Sequence, residues 1–534
     1  MHRSIARAGT LALSLALSGG AGAQTPHEGE PPEQLGEVNF QVSCTPDAQR
    51  TFNRAMALFH SFWFDPAKQA FATVLEQDPT CAMAHWGIAI MSMGNPLAWP
   101  PSPQALQAGA NAWSLAQQLG AGSERENAYI DALGVFFKDW QSTEHRPRAL
   151  ALEQAMGEVA ARYPQDVEAQ ILHALLLNAT AQPTDKTYAN QLKAAGILEP
   201  LYRQYPNHPG IAHYLIHTFD YTSLAERGMP YARAYADIAP SVPHVQHMPS
   251  HIFSRVGDWP AMVESNLASY QAARHELQAT TLDIGTYDAL HALDYLVFGH
   301  LQQAQHQAAK QRVDEVAAIH KVNVENFVAA YAFAAIPARY ALERGQWQEA
   351  AALQLSPADL AWDKFPQAEA ILVFARGLGA ARSGNPGAAR ADVERLQALQ
   401  TAMRQNNLGY WADQAEFQIR AVNAWIAQAE NRPDDALRLM REAADLEEAS
   451  DKHPVTPGNV VPSRELLAEL LVVQKQPAEA FAEFERSLQR DPNRLRATKG
   501  AMEAAKAAGN AEAARRYEQK VAVLTAAGDA QRAE

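Results

Sequence analysis

Two segments of the chain, residues 209–220 and 243–254, resemble each other at an interval of 34 residues. Both segments are rich in histidine and aromatic residues. The residues that correspond are Pro209 and Pro243, His213 and His247, His217 and His251, and Phe219 and Phe253. A fixed interval of this length indicates a repeat protein, in which one small unit is stacked many times. This interval constrains the fold more than the length of 534 residues does, because a stacked array extends its core along one dimension.

Amphipathic helix pairs recur towards both ends of the chain. Near the start, Ala67 and Phe71 lie at helical spacing and the segment closes at Pro79. The corresponding residues near the end are Ala480, Phe484, Ser487 and Pro492, and Ala514 follows Ala480 by 34 residues. This order of small, aromatic, small and proline residues resembles the second helix of a tetratricopeptide repeat. The resemblance implies an all-α solenoid, a right-handed superhelix of helix pairs, over residues 45–525.

The middle of the chain continues this pattern less regularly. Long alanine-rich amphipathic segments predict helices, and no alternating pattern predicts a strand; the segments cover about 321–343, 366–382, 388–406 and 411–430. Insertions interrupt the pattern at 95–103, 280–286 and 451–462. In repeat proteins such insertions form loops on one face of the array, often the binding face.

The two ends of the chain differ from the repeats. Arg3 and Arg7 precede an apolar run from Leu11 to Leu17, and small residues follow at Ala21-Gly22-Ala23. This order predicts a secretory signal over 1–23, with an ordinary buried helix as the alternative. Residues 24–44 are expected to form a flexible lead-in, and 526–534 a short tail. The mature protein is expected in the periplasm or outside the cell.

Charge and hydropathy argue against two classes of partner. The formal net charge is −14, and no basic stripe with interleaved aromatic residues is present in the sequence. An acidic protein repels the phosphate backbone, so nucleic acid is not an expected partner. After the predicted signal, no apolar run approaches the ~20 residues that a membrane-spanning helix requires.

The chain has two cysteines, Cys44 and Cys81, which are 37 residues apart. This separation is close to one repeat and places them at the starts of neighbouring helices. A disulfide requires Cα atoms within ~7 Å of each other, and an oxidising compartment favours it. Two buried free thiols are the alternative. Nothing nearby in the sequence would lower either thiol pKa, so catalysis by a cysteine is not expected.

The resemblance to tetratricopeptide repeats assigns the histidines to one face. It implies that the second, fifth, ninth and twelfth positions of each repeat face the concave groove. With repeats starting at Pro209 and Pro243, the fifth positions are His213 and His247, and the ninth positions are His217 and His251. Asp220 is at the twelfth position of the first of these repeats, and His244 is at the second position of the next. After an insertion of ten residues, a third copy of the pattern places Asp288, His291 and Tyr295 at the second, fifth and ninth positions.

Histidines four residues apart on a helix are neighbours and can share one metal ion. Two such pairs on adjacent repeats could surround one ion or hold two, with Asp220 or Asp288 as an oxygen ligand or as a partner that orients an imidazole. The expected cofactor is a divalent transition metal, namely zinc, copper or iron. Two alternatives are direct contact with an organic or peptide ligand, and a purely structural role. His60 is expected to be structural, whereas His453 lies on an insertion that could arch over the groove.

Two functions are consistent with these features. The chain resembles exported bacterial tetratricopeptide proteins that carry a His-Met-Pro-Ser-His-Ile-Phe segment, here 247–253, and this resemblance implies fold and export rather than a reaction. The first function is a metal-binding solenoid, which could support an oxidative or hydrolytic reaction. The second is a non-enzymatic scaffold that binds a peptide or protein in its groove. A groove that binds a peptide carboxylate would favour Lys, Arg and Asn on its inner positions. This groove has His, Asp and Tyr instead, which favours metal binding over the scaffold function.

Overall fold

The structure is a computed structural model that describes residues 33–276 and 284–529. The predicted signal, residues 24–32 of the predicted lead-in and residues 530–534 of the predicted tail lie outside the described residues. The described residues from 34 to 529 belong to a single compact unit. Within the described ranges, none of the helices combines the length and the apolar character that crossing a membrane requires.

The part of the chain before the gap at 277–283 is helical. Its α-helices are α1 Pro46–His60, α2 Phe64–Gln77, α3 Ala82–Ser92, α4 Pro103–Leu119, α5 Glu124–Phe137, α6 His145–Arg162, α7 Val167–Thr180, α8 Ala189–Gln204, α9 Pro209–Phe219, α10 Ala225–Ile238, α11 Pro243–His247, α12 Pro249–Val256 and α13 Trp259–Glu276. A single 3-10 turn, Pro96–Ala98, lies in the first predicted insertion.

The part after the gap is also helical. Its α-helices are α14 Tyr287–Gln302, α15 His306–Ala317, α16 Phe327–Glu343, α17 Trp347–Ala351, α18 Pro366–Arg382, α19 Pro386–Gln405, α20 Gly409–Ala429, α21 Pro433–Glu448, α22 Ser463–Val473, α23 Pro477–Arg490, α24 Leu495–Ala507 and α25 Ala511–Leu524. A 3-10 turn covers Trp362–Lys364, and the strands are β1 Ile284–Gly285 and β2 Lys321–Val322.

The helices pack in the order of the sequence. Each helix contacts the next one in the sequence. Some helices also contact the next but one, for example α1 with α3, α7 with α9, and α16 with α18. Contacts mainly between near neighbours are what an α-solenoid of stacked helix pairs produces, and two distant pairs, α1 with α9 and α14 with α24, also contact. The predicted fold class, an all-α tetratricopeptide-like solenoid, is confirmed by this arrangement.

The signature residues at the two ends explain how neighbouring helices approach so closely. Phe71 of α2 lies against Gly87 of α3, where an added Cβ would come 2.3 Å from the Phe71 ring. Phe484 of α23 meets Gly500 of α24 with the same 2.3 Å separation. Both pairs are 16 residues apart, so the same aromatic-on-glycine contact occurs in distant repeats. Glycine is required there because any side chain would overlap the aromatic ring.

The predicted helix at 321–343 begins later than the sequence pattern indicates. Lys321 and Val322 pair in parallel with Ile284 and Gly285, and this two-residue bridge delays the helix until Phe327. Asn326 then caps α16 by accepting a hydrogen bond from the Ala329 N–H at 2.9 Å. A pair of two-residue strands has no detectable alternating pattern, so the sequence does not reveal it.

Residues 34–44 of the predicted lead-in are held at two points, while the flexibility of the lead-in stays a prediction. Phe40 is buried, and its ring centroid lies 5.0 Å from that of Tyr129 and 5.6 Å from that of Phe52. Cys44 and Cys81 form a disulfide with a Cα–Cα distance of 5.2 Å. The composition of the segment suggests mobility, but one buried aromatic ring and one covalent bond hold it against the first repeats.

The last repeats pack against the middle of the chain. The Trp259 indole N–H donates to the carbonyl of Asn493 at 2.8 Å, and the hydroxyl of Thr222 donates to the carbonyl of Arg490 at 2.7 Å. The third insertion, 451–462, lies between α21 and α22 and reaches the region of α9 through Lys452. These contacts bring residues more than 200 positions apart in sequence to the histidine-rich helices.

Candidate metal centre

Six histidines of the predicted groove face converge in the interior. They are His213 and His217 on α9, His244 and His247 on α11, His251 on α12 and His291 on α14. All six are buried, and the most exposed, His217, has 9% of its surface accessible. The repeat register therefore brings these side chains together, and the neighbouring helices enclose them.

Pro249 divides the helix that carries three of these histidines. Proline has no N–H to donate back to Val245, so α11 ends at His247 and α12 begins at Pro249. Met248 between them keeps helical backbone angles, with φ −55° and ψ −36°. The helical spacing of His247 and His251 is thus preserved across the break, and the two rings still meet.

The first histidine trio consists of His213, His217 and His244. The Nε2 atom of His213 lies 3.1 Å from Nε2 of His217 and 3.3 Å from Nε2 of His244. One ligand atom from each residue lies within 4.8 Å of those of the other two. His244, from the second position of the next repeat, completes the pair that the sequence places on α9.

The second histidine trio consists of His247, His251 and His291. Nε2 of His247 lies 3.0 Å from Nε2 of His251, and the ring of His291 has its centroid 4.2 Å from that of His247. One ligand atom of each of the three lies within 4.8 Å of the others. The four histidines of the two sequence pairs are therefore divided between two trios, and do not form one four-histidine set.

The spacing of the nitrogens matches that of ligands around one ion. Bonds of ~2.0–2.1 Å at tetrahedral angles place two imidazole nitrogens about 3.3 Å apart. The Nε2 separations of 3.0, 3.1 and 3.3 Å are close to this value. Each trio can thus accept a metal ion with small movements of its side chains.

Hydrogen bonds indicate the tautomers of two histidines of the second trio, His247 and His251. Asn266 donates its amide to the carbonyl of Met262 at 2.7 Å, so its Oδ1 accepts from Nδ1 of His247 at 2.7 Å. Nδ1 of His251 donates to the Asp220 carboxylate at 3.0 Å. Because both protons are on Nδ1, both Nε2 atoms carry lone pairs, and these lone pairs face each other at 3.0 Å. A cation between them would relieve this opposition.

The first trio has the same feature at His213. Its Nδ1 donates to the backbone carbonyl of His60 at 2.6 Å, which leaves the lone pair on Nε2. That single lone pair is approached by the Nε2 atoms of both His217 and His244. Nδ1 of His217 has no hydrogen-bond partner among the described residues. A hydrogen bond on Nδ1 that directs Nε2 inward is the usual arrangement of metal-binding histidines.

The six imidazoles are neutral at physiological pH. Burial lowers the pKa of His213 to about 3. Burial, with the other histidines as a second cause, holds the pKa values of His217, His244 and His247 well below the usual value. The same causes lower the pKa of His291. Burial also lowers the pKa of His251, against the opposing hydrogen bond to Asp220. Neutral imidazole is the form that binds metal ions.

Asp220 orients His251 and is itself held by two cations. Its carboxylate accepts from Nε of Arg255 at 2.8 Å and from Nζ of Lys452 at 2.9 Å. Burial raises the pKa of Asp220, but Lys452 and Arg255 outweigh burial and hold the pKa of this carboxyl below its usual value. Asp220 therefore lies behind the second trio rather than in it. Asp288, the other predicted carboxylate, belongs to neither trio.

A third cluster, His60, Glu168 and His208, provides an internal contrast. Its histidines donate from Nε2 to the two oxygens of Glu168, at 2.8 Å for His60 and 3.0 Å for His208. The hydroxyl of Tyr214 donates to Nδ1 of His60 at 2.9 Å. In these bonds each donor meets an acceptor, although Nδ1 of His208 has no hydrogen-bond partner among the described residues. The expectation that His60 is structural agrees with this geometry.

Several residues around the two trios have no signal in the sequence. The Phe62 ring packs on the first trio, with its centroid 4.5 Å from that of His213, and Tyr235 stacks on the other side at 5.4 Å. Phe62, His60, Glu168 and Asn266 lie outside the matched histidine segments. Tyr295, at the predicted ninth position of the third copy, has its hydroxyl 3.5 Å from Nε2 of His251. His453 stacks on Trp411 at 5.0 Å between ring centroids and is not part of either trio.

No family model matches the chain, and no curated protein sequence matches it. Solved structures with helical repeats do align with it. The APC/C hetero-tetramer Cut9–Hcn1 is 14% identical over 88% of this chain and 79% of that chain, with a TM-score of 0.35. A human IFIT1 dimer with PPP-AAAA is 12% identical over 91% and 96%, with a TM-score of 0.37. The TPR domain of P58(IPK) is 10% identical over 87% and 99%, with a TM-score of 0.21.

The fold is a tetratricopeptide-like α-solenoid. Similarity at this level concerns the arrangement of helices alone and carries no information about ligands. The predicted peptide or protein in the groove remains a prediction. The six histidines of the two trios are at most 9% exposed.

Proposed function

We propose that the protein is an exported solenoid whose buried histidines bind a divalent transition metal, namely zinc, copper or iron. The observation that carries this proposal is the pair of opposed lone pairs on Nε2 of His247 and His251, 3.0 Å apart. A shared proton is a poor substitute for a metal, because burial lowers the pKa values of both rings and two cationic side chains already hold Asp220. Hydrogen bonds to Asn266 and Asp220 aim both rings at the same point.

The burial of the centre limits what it could do chemically. With no imidazole more than 9% exposed, a reactant at the metal would be of the size of water or dioxygen. A larger substrate would require movement of the insertion 451–462, which is tied to the centre through the contact between Lys452 and Asp220. Metal binding is therefore the proposed function, and any oxidative or hydrolytic reaction would involve small molecules.

Elemental analysis of untagged protein tests the proposal. We expect stoichiometric zinc, copper or iron in the purified chain, and its loss when His213, His217, His247 and His251 are all replaced by alanine. The reason is that this variant removes two of the three nitrogens of each trio. His320→Ala, which alters an exposed histidine, should retain the metal in full.

Two outcomes would contradict metal binding. One is protein that is free of metal and takes up none after incubation with each of the three ions. The other is a four-alanine variant that keeps its helical circular dichroism and binds metal as well as the unaltered chain does. Because alanine at four buried sites could disturb folding, the single variants His247→Asn and His251→Asn provide a milder version of the same measurement.

Export is the second part of the proposal. It is supported by the order of charge, apolar run and small residues in 1–23 and by the Cys44–Cys81 disulfide, since disulfides persist in oxidising compartments. In a bacterial host, we expect the mature chain in the periplasm or medium, with a mass that corresponds to cleavage after Ala23. Leu13→Arg with Leu15→Arg should leave uncleaved precursor in the cytoplasm, whereas Leu13→Val should be processed normally. Cytoplasmic accumulation of the unaltered, full-length chain would refute export.

A further inference from the structure

The two histidine trios are direct neighbours. The ring of His217 in the first trio lies 5.5 Å from that of His251 in the second, measured between centroids. The rings of His244 and His247 are 6.0 Å apart. The trios are thus separated by imidazole rings in mutual contact, and ions bound to them would lie side by side.

A single ion could not use all six nitrogens. Ligands bonded at ~2.1 Å are at most ~4.2 Å apart, even on opposite sides of the ion. Among the described residues, ligand atoms of the six histidines lie within 4.8 Å of one another only inside two separate groups of three. Each trio also has its own support, because the His60 carbonyl holds His213 and Asn266 holds His247. The geometry therefore provides for two ions rather than one.

We propose that the two trios form a two-copper centre, with three imidazoles for each ion. This inference rests on the proposed metal binding and specifies how many ions the cluster holds and which metal. All six ligands are neutral nitrogen donors of one type. Imidazole suits copper, and for a given set of nitrogen ligands Cu²⁺ binds more tightly than Zn²⁺ or Fe²⁺.

The charges around the trios also favour copper. Asp220 is the carboxylate in contact with the second trio, and it is already paired with both Arg255 and Lys452. These three side chains together carry a net positive charge, so this group does not neutralise a cation bound at the second trio. Two zinc, ferrous or cupric ions would add four positive charges to a buried site, at a large desolvation cost. Copper is the metal of the three that can also be held as Cu(I), which halves the added charge.

The second trio has a further group that distinguishes it from the first. The Tyr295 hydroxyl lies 3.5 Å from Nε2 of His251, whereas the Phe62 ring covers the first trio. A tyrosine hydroxyl can donate a hydrogen bond, which a phenylalanine ring cannot. The two ions would therefore have different surroundings, one apolar and one with a hydroxyl donor.

Copper titration of metal-free protein tests this inference. Protein stripped with a chelator is titrated anaerobically with Cu(I), and bound copper is measured by competition with a chromogenic Cu(I) chelator. We expect two copper ions per chain in the unaltered protein, one in His244→Asn, one in His291→Asn, and none held tightly in the double variant. His208→Asn, in the hydrogen-bonded third cluster, should still bind two.

The possible results separate the two-copper inference from metal binding itself. One copper ion per chain, lost in both single variants, would overturn the two-ion inference and leave metal binding intact. Two zinc ions with no copper under the same conditions would overturn the choice of copper. No binding of any of the three metals would refute both proposals. Circular dichroism of each variant must match that of the unaltered chain, and His320→Asn provides the baseline for a substitution outside the clusters.

Discussion

Arg494→Met is expected to destabilise the folded protein by about 3–5 kcal/mol, because it leaves two carboxylates buried without their cation. Arg494 is 2% exposed and bonds to Glu465, and its Nη2 lies 2.6 Å from Glu343. The two carboxylates come from α16 and α22, and Arg494 immediately precedes α24. Urea unfolding monitored by circular dichroism should show a midpoint at a lower urea concentration than in the unaltered chain.

An exposed ion pair gives the matched control for this prediction. Arg441 bonds to Glu479 at 2.8 Å, and both side chains are about half exposed. Arg441→Met should change the free energy of unfolding by about 0–1 kcal/mol, as surface pairs do. Replacing Glu343 and Glu465 by glutamine in the Arg494→Met chain should recover part of the loss. If Arg494→Met and Arg441→Met have equal effects, the buried network does not contribute as argued.

Asp220→Asn is expected to change both stability and metal affinity. It removes the negative charge between Arg255 and Lys452, so two buried cations remain close together, at a cost of about 3–5 kcal/mol. It also weakens the acceptor that orients His251, and loss of such a partner typically reduces metal affinity about 10–100-fold. Urea unfolding measures the first effect, and competition with a chelator of known affinity measures the second.

A buried carboxylate far from the trios separates these two effects. Asp392 bonds to Arg376 at 2.5 Å, and Asp392 is 6% exposed. Asp392→Asn should lower stability but leave metal affinity unchanged. Lys452→Met combined with Asp220→Asn should regain stability without regaining affinity. If Asp220→Asn binds metal as tightly as the unaltered chain, Asp220 has a structural role alone.

Much of the centre was predictable because helical geometry is local. Residues four apart on a helix are neighbours in any fold, so the pair of His213 with His217 and the pair of His247 with His251 are readable from the sequence. The 34-residue interval then places the two pairs on adjacent repeats.

The composition of each trio was not predictable in the same way. His244 and His291 were predicted only as additional candidates, because their positions depend on how successive repeats rotate against one another. The contact between Lys452 and Asp220 joins residues 232 positions apart. The repeat pattern places the insertion 451–462 on one face of the array but does not specify which side chain it contacts. The burial of Phe40 depends on the helices that surround it, not on the polar composition of its segment.

The sequence by itself determined that the chain is an α-solenoid and that its histidines occupy equivalent inward positions. These properties depend on interactions between residues close in the chain, which repeat spacing and helical periodicity record directly. The tertiary structure decided which nitrogens oppose one another, which tautomers they adopt and that the centre is enclosed. Those properties depend on contacts between distant helices, for which a single sequence contains no comparable spacing.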